Sequence, residues 1–289
     1  MIKRAFFPFL ALVLAGGLMA GKFQDSYLLR YELKPKSSDK YKMSMTMNMK
    51  MDAPGAPPSI DIKSTMDFEL NTLDVGADGK ADVEMKTTNI KMDTGDLPGG
   101  GEDAPKEMVI KAKMDDRYRL TDAKAGAGMD MTQMMMNMSG ANQSMMMLEL
   151  PENPIKVGDS WEFEMAKNPI LGEKAHMLKA TLKFLTEYEG TPAYEVELTG
   201  KIDLNVNLGE AMKKANEAAG AAGGAAAMFE GMDMTVKGQI GVAGKVYISR
   251  KSAKILASET TMDSKQAMEM MGMTINMDGV TKITMKSAN

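Results

Sequence analysis

The feature that most restricts the fold is a strict alternation of apolar and polar residues, sustained through most of the chain. Met43, Met45, Met47, Met49 and Met51 alternate with Ser44, Thr46, Asn48 and Lys50. In an extended chain successive side chains point to opposite faces, so the thioethers share one face and the polar groups the other. A helix would scatter both sets around its axis, and the period therefore selects a strand with one buried side. Ile60, Ile62, Met66, Phe68 and Leu70 continue in a single phase, which then slips to Leu73 and Val75 and predicts a bulge near Asn71 and Thr72. Gly76-Ala77-Asp78-Gly79 reads as a turn into a strand opened by Val83 and Met85, and Met108, Ile110, Ala112, Met114, Tyr118 and Leu120 as one further strand.

The second half has longer runs: Tyr194, Val196, Leu198, Ile202, Leu204, Val206 and Leu208, then Met232, Met234, Val236, Ile240, Val242, Val246 and Ile248. Gly200, Gly238 and Gly244 fall within these runs, where strands bend or other backbone comes close. A closing hairpin is expected from Met271 to Met277, turning at Asp278-Gly279 and returning from Val280 to Met285. Long half-buried strands of this kind predict an all-β fold, a strongly curved antiparallel sheet or half-barrel with long strands and small helical insertions. The insertions fall where alternation stops. Asp93 to Pro105 is a Gly/Pro loop, Met129 to Met147 places Met131, Met134, Met135 and Met138 at helical spacing, and 209–230 is an Ala/Gly-rich tract that begins as a helix.

The first twenty residues carry the parts of a secretory signal: Lys3 and Arg4, an apolar run from Ala5 to Leu14, and small residues leading to a cut after Ala20. Gly17 stands where a lipoprotein signal needs cysteine, which excludes lipid attachment there. The expected organisation is a signal peptide (1–20), an N-terminal β half ending in a Met-rich helix (21–150) and a C-terminal β half (151–289), the halves sharing one sheet. The seam is Pro151 to Trp161. The expected setting is periplasmic or extracellular, soluble after the signal is removed.

Composition narrows the chemistry. The 289 residues include no cysteine and one histidine, which excludes thiol catalysis, zinc ribbons, iron–sulfur clusters, disulfides and multi-histidine metal sites. A net charge of −4 argues against nucleic acid as a partner, and eight Phe, seven Tyr and one Trp are too few for the aromatic girdles of an outer-membrane barrel. Peripheral or no membrane contact is expected. Ser37-Ser38-Asp39-Lys40 has a hydrolase-like spacing but sits in a turn before a strand. Asp74 to Gly79 lacks a calcium loop's ligands, since Gly76 occupies the third position and Met85 the closing one. Asp115, Asp116 and Asp130 read as solvated carboxylates, His176 as a surface or strand-edge residue, and Trp161 as a core anchor at the seam. No catalytic residue and no cofactor is expected.

The 34 methionines carry the functional expectation. They occupy the phase in which Ile, Val or Leu stands elsewhere, so the plainest role is to fill a core. A flexible, polarizable side chain also suits a surface that accepts apolar partners. Met43, Met45, Met47, Met49 and Met51, covered by a helix carrying Met131, Met134, Met135 and Met138, are the candidate lining for a hydrophobic small molecule or acyl chain. The alternative is capture of Cu(I) or silver by thioethers, with Met134, Met136, Met138, Met268, Met270, Met273 and His176 as the candidate ligands. A fully packed structural or envelope protein without a ligand is the third reading. The sequence leaves the oligomeric state open.

Tyr31-Glu32-Leu33-Lys34-Pro35-Lys36, Pro154-Ile155-Lys156-Val157-Gly158-Asp159-Ser160-Trp161 and Gly244-Lys245-Val246-Tyr247-Ile248 together resemble a family of exported bacterial all-β proteins of unknown function. These motifs are turn and strand starts, and the resemblance implies a fold and an exported setting but no activity. The long strands with inserted helices also look like lipoprotein-carrier half-barrels. That likeness implies acyl chains held on a concave sheet face beneath small helices.

Overall fold

The computed structural model describes residues 25–52, 59–95, 107–125, 148–165, 171, 174–211, 234–270 and 272–288. The alternating segments form β1 (Ser37–Asp52), β2 (Ser59–Val75), β3 (Ala81–Asp93), β4 (Glu107–Met114), β5 (Leu120–Ala125), β6 (Ser160–Met165), β7 (His176–Tyr188), β8 (Thr191–Asn207), β9 (Met234–Ser249), β10 (Ile255–Met270) and β11 (Met273–Ser287). All eleven belong to one sheet, in the order β5-β4-β3-β2-β1-β11-β10-β9-β8-β7-β6. Each neighbouring pair is antiparallel. The all-β expectation of a long-stranded open sheet is met.

The chain meanders between adjacent strands with one exception. From β5, at one edge of the sheet, it passes to β6 at the opposite edge, and β11 then returns to pair with β1 at the centre. Curvature follows from two contacts. The turn after β4 and the turn before β10 are five strand spacings apart, about 24 Å in a flat sheet. Yet the Tyr118 hydroxyl donates to the Ala253 carbonyl at 3.3 Å, and consecutive residues bridge both turns, Tyr31 N–H donating to Asp116 O and Glu32 N–H to Ser252 O. The sheet is therefore rolled, with its apolar phase inside.

Every strand has one end on the side of the sheet where these turns lie. Across that end, here called the tied end, run residues 25–36 and the connection 148–159. Tyr27 and Ile155 exchange backbone hydrogen bonds of 2.7 and 3.0 Å, and Arg30 donates to Pro151 O and Glu152 O. Arg117 donates to Leu150 O and Glu149, and the Trp161 indole N–H donates to Glu149 O at 2.7 Å. Leu29, Tyr31, Leu148, Leu150 and Ile155 are buried beneath. These ties satisfy the backbone groups that irregular segments would otherwise leave bare.

Several expectations change. Asp278-Gly279 is not a turn, because β11 runs straight through it. Gly279 lies opposite both Met49 and Ser264, and a Cβ there would sit 2.9 Å from Ser264 Oγ. The glycine serves close strand packing. Gly244 does the same beside Glu259 O, 2.7 Å from where its Cβ would stand. The run from Met108 to Leu120 is two strands, separated by a turn over residues 115–119 in which Tyr118 takes a left-handed φ of 63°. The bulge near Thr72 is present, but Thr72 rather than Leu73 turns inward, and Leu73 is exposed. Residues 208–211 are helical. The segment expected to be a signal peptide (1–20), the 129–147 segment and most of the 93–105 loop and of the Ala/Gly tract lie outside the described residues.

Candidate functional site

The inner face is not uniform along the strands. On β1, Tyr41, Met43 and Met45 are 3–4% exposed, whereas Met47, Met49 and Met51 on the same face are half-buried. On β11, Thr281, Ile283 and Met285 are buried, Ile275 and Met277 are half-buried, and Met273 is 52% exposed. On β10, Met262 is buried while Gln266 and Met268 are half-buried. The core thus thins out away from the tied end, over β1, β10 and β11. This open end presents apolar surface formed by strands alone among the described residues. On β8 and β9 the core continues further, through Leu204, Val206, Met234 and Val236.

Strand register joins methionines that are distant in sequence. Met51 lies opposite Met277, Met49 opposite Gly279 on one side and Ile60 on the other, and Met47 opposite Ile62. Met268 lies opposite Ile275, and Met270 opposite Met273. Directly opposed residues share a face with Cβ atoms about 4.5–5.5 Å apart. Met47, Met49 and Met51 on β1, Ile275 and Met277 on β11 and Met268 on β10 therefore share one continuous stretch of the inner face. Sequence reasoning missed Met277, Ile275 and Ile60. Met277 shares a phase with Met273 and Ile275, and the supposed turn at Asp278-Gly279 concealed it.

The other named residues are placed as follows. Met131, Met134, Met135, Met136 and Met138 lie outside the described residues. His176 is buried rather than at the surface. It opens β7, which is paired on both sides, is 8% exposed, and its Nε2–H donates to Leu171 O at 3.0 Å. β7 stands three strands from β10, about 14 Å along the sheet, so His176 is not brought to Met268, Met270 or Met273. Trp161 is half-buried against the core at the seam.

Of the expected solvated carboxylates, Asp115 is structural, Asp116 stays about half exposed, and Asp130 lies outside the described residues. Asp115 accepts from the backbone N–H groups of Arg117 and Arg119 at 2.9 and 3.0 Å and from the Arg119 side chain at 2.7 Å, which fixes the turn holding Tyr118. Burial pushes its carboxyl up, but these donors outweigh burial and hold it below the usual range. Asp116 pairs with Arg30 at 3.4 Å. Asp39, from the hydrolase-like spacing, accepts from the Tyr31 hydroxyl at 2.6 Å and pairs with Lys254 at 3.0 Å. Burial and then Asp39 raise the Tyr31 phenol, and burial raises those of Tyr41 and Tyr118, so all three stay neutral. Tyr31 stacks on Tyr118 with centroids 4.5 Å apart.

The outer face is charged. Cross-strand pairs include Lys113–Asp82, Lys183–Glu197, Lys237–Glu269 and Lys245–Glu195. A depression of about 660 Å³ lies on this side, walled by Leu73, Asp74, Asp82, Lys113 and Asp122, and is unrelated to the methionine patch. Among the described residues no three His, Cys, Asp or Glu side chains gather to hold a metal ion, and no helix is long and apolar enough to cross a membrane.

No family model and no curated protein matches the chain. The resemblance to a family of exported bacterial proteins gains no support from that comparison. Among solved structures, one described as lipid–protein interactions in lipovitellin aligns with a TM-score of 0.50 at 12% identity, over 89% of this chain and 26% of that one. The two share a fold. At that identity the likeness concerns the backbone path, and the chain spans about a quarter of the lipovitellin chain's length. The lipovitellin-like sheet agrees loosely with the carrier-type half-barrel architecture expected from the sequence. The part of the sheet to which this architecture draws attention is the inner face, where Met47, Met49, Met51 and Met277 are half-buried.

Proposed function

We propose that the chain is an exported, non-enzymatic module that holds an apolar, lipid-like ligand on the inner face at the open end of its sheet. The observation that carries this reading is the change along β1 and β11 from fully buried to half-buried apolar residues on one unbroken face. A self-filled core would close over both ends. An apolar surface left half-covered loses about 25 cal/mol of stabilisation for each Å² not removed from water, which an apolar ligand restores. Methionine suits the task because its three rotatable bonds let one surface fit chains of different shape. The fold likeness to a lipid-associated protein supports the same reading, and so does a composition with no cysteine and one histidine. Export rests on the N-terminal signal pattern.

The test is displacement of a hydrophobic fluorescent dye by a long-chain fatty acid, measured on the full mature chain and on Met49→Asp. The expected result is saturable dye uptake reversed by the fatty acid, and loss of uptake in a variant whose circular dichroism and unfolding midpoint remain near those of the parent. Undiminished uptake in the folded variant overturns this placement of the ligand.

A further inference from the structure

Beyond the apolar ligand, we propose that Met49, Met51 and Met277 form a binding site for a soft monovalent cation, Cu(I) or Ag(I), at the lip of the open end. The three thioethers come from two adjacent strands, and Met277 joins the other two only through long-range register. Met277 lies on β11, with Met51 directly opposite it on β1 and Met49, opposite Gly279, one diagonal step away. Diagonal neighbours on a sheet are about 7–8 Å apart, a gap that long, flexible side chains close by converging. Met49 and Met51 belong to the alternating run that the sequence marks, and Met277 is the member that it does not.

Two observations argue for sulfur rather than mere bulk at these positions. The first is exposure. Met43, Met45 and Met285 on the same strands are 3–4% exposed and fill the core, whereas the three proposed ligands are half-buried and accessible. The second is strand chemistry. β-Branched residues fit a half-buried strand best, and the chain uses them on the inner face of β8 and β9, at Val196, Ile202, Val206, Val236, Ile240 and Val242. On β1 it forgoes them at five successive inward positions in favour of methionine. The structure thus concentrates thioethers where a solute can reach them.

The chemistry of the ion follows from the donors. Thioethers are soft and uncharged, and they prefer Cu(I) and Ag(I) to zinc, magnesium or calcium. A site without anionic donors leaves the ion's charge uncompensated, which a partly desolvated monocation tolerates far better than a divalent ion. Asp52 and Asp278 lie near in sequence but in the opposite, outward phase. The buried row Met66–Met43–Met285, in which each residue lies directly opposite the next, provides an internal control: sulfurs in line, but sealed in the core.

The experiment is titration of the metal-free mature chain with Ag⁺ in chloride-free buffer, followed by calorimetry, with X-ray absorption at the silver edge to identify neighbouring atoms. One tight equivalent with sulfur neighbours is expected. Met277→Leu, close in volume and half-exposed, should weaken binding by about tenfold or more, whereas Met43→Leu should leave it unchanged. Should Met277→Leu misfold, Met51→Leu reads the same site. Absence of saturable binding, an oxygen or nitrogen shell, or equal losses in Met277→Leu and Met43→Leu would each overturn the proposal. Dye uptake measured without silver tests the apolar-ligand reading separately, so either can fail alone.

Discussion

At the tied end Met43, Met45, Met66, Met85 and Met285 are 1–6% exposed and sit beneath two crossing segments, whereas at the open end Met47, Met49, Met51, Met268 and Met277 are half-buried on the same face. The residue type is the same, and in β1 so is the strand. What differs is the polar framework. The tied end has Asp39, Asp115, Arg30, Arg117, Trp161 and the buried Tyr31 and Tyr118 holding turns and crossing segments in place. The methionines of the open end have strand pairing alone among the described residues. Thioethers therefore do two jobs here, and the surroundings decide which. Where polar ties fix a lid of backbone, methionine is filling. Where they stop, it is surface.

Truncation at matched positions gives the widest separation between the ends. Met85→Ala at the tied end, where the residue is 1% exposed, should cost about 2–5 kcal/mol. Met49→Ala at the open end should cost about 1 kcal/mol or less. Urea unfolding midpoints check both, and equal losses would erase the distinction between filling and surface.

A smaller contrast concerns charge. Asp39→Ala leaves the Tyr31 hydroxyl and the Lys254 ammonium without their partner in a largely buried site, and should cost about 1–3 kcal/mol. Glu269→Ala breaks the Lys237 pair, which is about half exposed on the outer face, and should cost well under about 1 kcal/mol. A double-mutant cycle for each pair measures the difference directly.

The smallest effect is the pH response of the tied end. The Asp115 carboxyl is held below the usual range when folded, so its contribution is complete above that range and is lost as pH falls through the lowered folded value. Burial pushes the Glu149 carboxyl the other way, and acidification there favours the folded form. Asp115→Asn removes the first contribution and leaves the second. Unfolding midpoints compared at pH 7 and about pH 3 should therefore fall less in Asp115→Asn than in the parent chain.

Much of the fold was legible because period-two alternation is a local property. Met43 to Met51 declare a strand and its buried side whatever lies beside them. Partnership is not local. Nothing in either segment announces that Met51 will face Met277, because that pairing joins residues about 230 positions apart, and the candidate site depends on it. Glycine misled for a related reason. Asp-Gly is the common currency of hairpin turns, yet at Gly279 the missing side chain makes room for Ser264 on a neighbouring strand, a requirement visible only in three dimensions. Tyr118 misled in the opposite sense. It continues an apolar run, but it lies in the turn after β4, with a left-handed backbone and its ring in the tied end, where Tyr31 and Ala253 receive it.

The pairing of β1 with β11 also sets the order in which the sheet can be completed. β1 to β5 and β6 to β11 are each successions of neighbouring antiparallel strands, whose connections are all far shorter than the separation of β1 from β11. The bond between the two successions, such as Ser44 to Thr284, spans 240 residues. Closing so long a loop carries the larger entropic cost and comes after the local hairpins. Until then β1 and β11 are both bare edges, open to pairing with any extended chain nearby. β1 carries Lys42 and Lys50 and no β-branched aliphatic residue among its inward positions, which makes it a poor template for strangers. The strand that waits longest for its partner is thus the one least inclined to accept a substitute.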